Sequence, residues 1–312
     1  MKTKLFFFLA LSILCITKFI FASELNVVVT IKPYHSLVSG IMQGISTPVL
    51  LMKGNYSPHS YAIRPSSAED LQQSDIVFWG GAKLEGFLTK PLKSLASRAK
   101  LVSLQQIEGL KLLPMRSNKG WHLYDADSVE YHSAKDETES YSGTDPHVWL
   151  DPQNAKIISQ KIVKVLSEMD PQNRQKYHKN GEKYALRLNL LDLDMKAKMA
   201  KVAEKPYLVF HDAYQYFERS YKLNAVGSVT LHIDYGSSAR RLMEVQKTIK
   251  RERIICIFRE PQFSPKLLQT VITGTKVKIG TLDPLGVGIE SGTELYFTLL
   301  NNLSSSLSKC LN

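Results

Sequence analysis

The chain has 312 residues, 44% hydrophobic and 22% charged, which excludes a disordered or fibrous protein and is long enough for two domains. The formal charge is +11, but Lys2, Lys4 and Lys18 stand in the first 22 residues, and without that segment it falls to +8. The other Lys and Arg are scattered, with no dense basic run beside stacking aromatics, so nucleic acid is not indicated as a partner.

The N-terminus opens with "MKTK", continues with the twelve apolar residues "LFFFLALSILCI", and offers a small-residue cleavage point in "FASE" after Ala22. This is the layout of a secretory signal peptide, 1–22. Lys18 interrupts the apolar run before the roughly 20 residues that span a bilayer. Its removal takes away Cys15 and leaves Cys256 and Cys310. An even pair in an oxidising compartment points to one disulfide, with two separate buried thiols as the other reading.

"LNVVVTI" (25–31) reads as a buried strand, with Pro33 where a helix begins. "TPVLLM" (47–52) reads as a second strand, and Ser66 with Glu69 has capping-box spacing for a helix start. "SDIVFWGG" (74–81) is a third strand, followed by a helical stretch over 84–96. Residues 114–143 break the alternation. They are polar, lack a period, and place His122 and His132 among several carboxylates, which suits auxiliary metal capture.

From Pro171 to about Val202, Tyr177, Tyr184, Leu188, Leu191 and Met195 form one apolar stripe, so a single long helix is expected. Alternation then resumes: strand 207–210, helix 213–221, helix 237–253, strand 254–258, helix 264–274, strand 277–282 and a C-terminal helix from Ser291. The expected architecture is α/β: two (βα)-type lobes with parallel sheets, 23–168 and 205–312, joined by a rigid helix, 169–204.

Ligands of open parallel sheets bind beyond the carboxyl ends of the strands. His59 lies in the loop after strand 47–52, His211 follows strand 207–210, and Asp283 follows the last strand. His147, in "TDPHVWLDPQNA", sits in its own loop at the end of the first lobe. One metal ion held between the lobes would explain this placement. His35 and His178 read as structural, and His232 stays open. Three imidazoles suit zinc, whereas direct binding by Asp283 would move the site toward manganese or iron.

Five strings resemble the zinc-binding component of bacterial ABC metal importers (the ZnuA type): "PHSYAIRPS" (58–66), "DPHVWLDP" (145–152), "FHDAYQYFE" (210–218), "REPQFSP" (259–265) and "TLDPLG" (281–286). The resemblance implies a periplasmic Zn2+ carrier, expected to be a monomer, that serves an inner-membrane ABC permease and its ATPase. It implies His59, His147 and His211 as ligands and a Cys256–Cys310 disulfide. Manganese-binding relatives usually carry an acid where His211 stands. Pro58 stands where zinc-type members often carry an acid, which leaves the fourth place to Asp283, water or a histidine of 114–143. A zinc hydrolase would need a general base; there is no H-E-x-x-H string, and Glu260 is the nearest acid to consider.

Overall fold

The structure is a computed structural model that describes residues 24–116, 143–230 and 239–312. The first sheet contains β1 (Val27–Val29), β2 (Val49–Leu50), β3 (Ile76–Trp79) and β4 (Lys100–Ser103), all parallel, in the order β2-β1-β3-β4. The second contains β5 (Tyr207–Val209), β6 (Ala225–Ser228), β7 (Cys256–Arg259) and β8 (Lys278–Thr281), again parallel, in the order β6-β5-β7-β8. The two sheets therefore repeat one topology, as the alternating pattern implied, with helices α3 (Thr89–Ser94), α6 (Gln215–Tyr221), α7 (Ala239–Arg251) and α8 (Lys266–Ile272) among the segments that connect their strands. Val27, Val28 and Val29 are buried on both faces, because helices cover a parallel sheet on both sides.

Three elements were not anticipated. β4 ("KLVS") has a single buried residue, and in β6 ("AVGS") Val226 is the one strong strand former, so neither stands out as an apolar run. Helix α4 (Pro152–Met169) begins at the second Asp-Pro pair, inside the stretch read as the loop of His147. Asp151 is in fact its N-cap, its side chain accepting from Gln153 N at 2.8 Å, and Pro152 occupies the first helical position. The capping box at Ser66 does not form. α2 (Pro65–Gln72) starts two residues earlier, with Arg64 at the N-cap, because Pro65 arrives with helical φ and no N–H to satisfy.

The expected long helix is α5 (Arg174–Met199), whose 26 residues span about 39 Å. All five residues of the anticipated stripe are buried. They pack against α1 (Lys32–Ile41), α4 and α9 (Leu295–Leu311). Close approach requires glycine at two points: a Cβ on Gly40 would lie 2.2 Å from the Tyr184 ring, and one on Gly181 would lie 2.5 Å from Val163. One continuous apolar core runs from β1 and α1 through α4 and α5 to β5, β7 and α9. The two lobes thus share an inner layer, which opposes free hinging about a linker. Cys256 on β7 and Cys310 on α9 are joined by a disulfide, with Cα atoms 6.0 Å apart.

At the carboxyl edge of the first sheet, Glu85 is fully buried and accepts from Gly80 N at 2.7 Å. Burial pushes its carboxyl from the ordinary 4.5 up to about 7. A raised carboxyl disfavours the ionised form in the folded state. The resulting loss of stability is absent below pH 4.5, grows toward pH 7 and is constant above it. Glu85→Gln retains an acceptor for Gly80, so it is expected to stabilise the chain by about 3 kcal/mol at pH 8 and negligibly at pH 4.5. Urea unfolding at the two pH values checks this; equal differences would refute the buried charge.

Candidate metal centre

The three histidines arrive from three different loops. His59 lies after β2, where its N–H donates to Ser57 Oγ at 3.3 Å. His147 leads into the short 3₁₀ turn Val148–Leu150. His211 follows β5 directly. The strand order of the second sheet reverses between β5 and β7, so His211 and Glu260, at the ends of those strands, meet at a topological switch point.

The imidazoles converge. His59 Nε2 and His147 Nε2 are 3.4 Å apart, and the ring centroids are separated by 5.5, 6.1 and 5.4 Å. One nitrogen from each ring lies within 4.8 Å of the other two. Zinc with bonds of 2.0–2.1 Å sets neighbouring nitrogens about 3.3 Å apart, so a small inward shift suffices. The cavity between them holds about 10 Å3, space for one water-sized body.

Carboxylates aim two of the rings. His147 Nδ1 donates to Asp145 Oδ1 at 2.7 Å, and the same oxygen accepts from His147 N at 2.9 Å. His211 Nδ1 donates to Glu260 Oε1 at 2.5 Å. With Nδ1 engaged, each ring turns its Nε2 lone pair toward the shared cavity. His211 Nε2 is buried and has no hydrogen-bond partner among the described residues, which suits a metal-ligand atom. Trp149 is fully buried behind His147, with ring centroids 5.3 Å apart, and its Nε1 donates to Pro284 O across the lobe junction.

Burial lowers His59 and His147 well below the ordinary 6.5, and the neighbouring imidazoles push them the same way. Burial also opposes charge on His211, but Glu260 outweighs it, so His211 is raised. Beneath the rings lies a buried ionic cluster. Arg116 pairs with Glu218 and, at 3.5 Å, with Asp212. Burial pushes Asp145 and Asp212 up to about 7 despite this cation. Arg116 escaped sequence reading because nothing local marks it; its carboxylate partners Asp212 and Glu218 lie in the second lobe.

Asp283 is elsewhere. Its Oδ1 accepts from Leu285 N, Gly286 N and Gln262 Nε2, each at 3.0 Å, and Oδ2 from Val287 N at 2.6 Å. It does not belong to the group that brings its ligand atoms together. The loop it organises is gripped from the first lobe by Lys32, whose ammonium donates to Gly286 O, Val287 O and Ile289 O at 3.2, 2.8 and 2.8 Å. His35 is buried with Nε2 on Pro48 O at 2.9 Å, and His178 is exposed on α5, so both stand apart from the site as read. His122, His132 and His232 lie outside the described residues.

Two parallel α/β lobes on a shared core, with an imidazole pocket at their junction, are the build of a two-lobed α/β binding protein. The family described as zinc-uptake complex component A, periplasmic, matches residues 27–310, and the chain belongs to it. The high-affinity zinc uptake system protein ZnuA of Brucella suis is 39% identical over 306 residues, covering 92% of each chain. The protein of the same name from Yersinia pestis is 33% identical over 289 residues, covering 91% of each. Among solved structures, a crystal structure of ZnuA has a TM-score of 0.76 at 22% identity, covering 93% of this chain and all of the other. The periplasmic zinc-binding protein TroA from Treponema pallidum has a TM-score of 0.77 at 20% identity, covering 92% and 99%. These two likenesses show the fold.

Proposed function

We propose that this chain binds Zn2+ in the periplasm and delivers it to an inner-membrane ABC permease driven by its ATPase. The observation that carries this reading is the convergence of His59, His147 and His211 from loops of both lobes, two of them held by buried carboxylates. In this reading the three Nε2 atoms are the ligands. The lobes are 23–168 and 205–312, linked by 169–204, and residues 1–22 direct export. The relatives' names support zinc as the cargo. A neutral nitrogen set supports it over manganese, which favours harder oxygen ligands.

Hydrolysis has less support. Glu260, the acid considered for a general base, already accepts from His211 Nδ1, where it steadies a ligand instead of facing a water. Metal analysis of protein purified without chelators, followed by competition titration, tests the cargo. Zinc retained over manganese is expected, and preferential manganese retention refutes the zinc reading.

The pH dependence has a definite sign. An imidazole must be neutral to bind a metal. His59 and His147 stay neutral well below pH 6.5, while His211 holds its proton to a higher pH. Zinc affinity should therefore begin to fall above pH 6.5, as His211 protonates, and be at least about tenfold weaker at pH 5 than at pH 7.5. Calorimetry at the two values measures this, and equal affinities would count against a histidine site.

A further inference from the structure

Three imidazoles leave a tetrahedral ion one more place to fill. The residues around the cavity include one polar group that the site as described does not use. Gln262 lines the same cavity as His59, His147 and His211. Its Oε1 is buried and has no hydrogen-bond partner among the described residues. Its Nε2 donates to Asp283 Oδ1 at 3.0 Å. That bond settles which way the amide faces, because the reverse orientation would set an oxygen against a carboxylate. Asp283 in turn is locked by the N–H groups of Leu285, Gly286 and Val287. The backbone on either side of Gln262 is held as well. Asn55, from the loop that carries His59, donates to Pro261 O at 3.2 Å, and the Phe263 ring stands edge-on to His211 at 5.9 Å.

We propose that Gln262 supplies the fourth ligand through Oε1, and that Asp283 acts only by aiming it. This deepens the zinc reading and rests on it. A buried polar atom without a partner is rare unless a ligand completes it. A cavity of about 10 Å3 has room for one water-sized body beside this oxygen. The resulting set, three nitrogens and one neutral oxygen, brings no anion to the ion itself. It thereby disfavours manganese, which the carboxylate of Asp283 would have favoured.

The test uses Co2+ as a spectroscopic stand-in for Zn2+, in the full mature chain. Gln262→Leu keeps the size and removes the oxygen. It is expected to change the visible absorption of the Co2+ complex and to weaken Zn2+ binding about tenfold or more in a competition titration, while the melting temperature of the metal-free chain stays put. Asp283→Asn keeps an oxygen able to accept from Gln262, so its Co2+ spectrum should stay near that of the unaltered chain. An unchanged Gln262→Leu spectrum overturns the proposal, as does an Asp283→Asn change that equals or exceeds the Gln262→Leu change. Failure of the unaltered chain to take up either metal would instead defeat the zinc reading itself.

Discussion

Replacing His147 with alanine should weaken zinc binding by more than about 100-fold, because loss of an outer partner alone commonly costs 10- to 100-fold. His147 is the most constrained of the three imidazoles. It is buried, donates through Nδ1 to Asp145, faces His59 Nε2 at 3.4 Å, and rests against Trp149. Two imidazoles would remain, beside a carboxylate that has lost its ring partner. The fold should survive, since Trp149 stays buried and its Nε1 remains on Pro284 O. Thermal melts provide the readout. Zinc at 1,000 times the dissociation constant of the unaltered chain stabilises it by about 4 kcal/mol, and at the same zinc concentration this gain should shrink to about 1.4 kcal/mol or less in His147→Ala. If the variant still shows the full zinc-induced shift, His147 is not a ligand.

Breaking the disulfide should lower stability by about 4 kcal/mol in the chain-entropy view, given a separation of 54 residues between Cys256 and Cys310. For a chain of this size that is roughly a 10 °C fall in melting temperature. Both sulfurs are buried, so serine at both positions would add an unmet polar group, and alanine is the cleaner substitution. The link ties the end of α9 to β7, the strand that leads into Glu260. Zinc affinity should nevertheless change little, because Glu260 remains anchored on His211. Urea unfolding with and without reductant measures the effect. A midpoint indifferent to reductant would show that the bond contributes nothing to stability.

Much of this protein is legible along the chain. Hydrophobic runs of β-branched, aromatic and leucine residues announce β1, β3, β5 and β7, and a 3.6-residue stripe announces α5, because these signals are local and periodic. His59 and His211 could be singled out because each follows a strand, and strand ends are where parallel sheets place their ligands. The elements that escaped notice lack such signals: β6 pairs "AVGS" only because β5 lies beside it, and α4 begins at an Asp-Pro pair that by itself also fits a turn.

Read along the chain alone, the protein already shows its pair of α/β halves, the stiff helix between them, and the residue types that meet at their junction. How those residues divide the work depends on the fold. Asp283 sits at a strand end just as His211 does, yet three backbone N–H groups and the Gln262 amide take up its oxygens. Asp145, Glu260, Arg116 and Gln262 acquire their parts from contacts that reach up to 102 residues along the chain. The reason is physical: a ligand's position relative to its strand is a local property, whereas the direction in which a lone pair points depends on partners that only folding brings within hydrogen-bond reach.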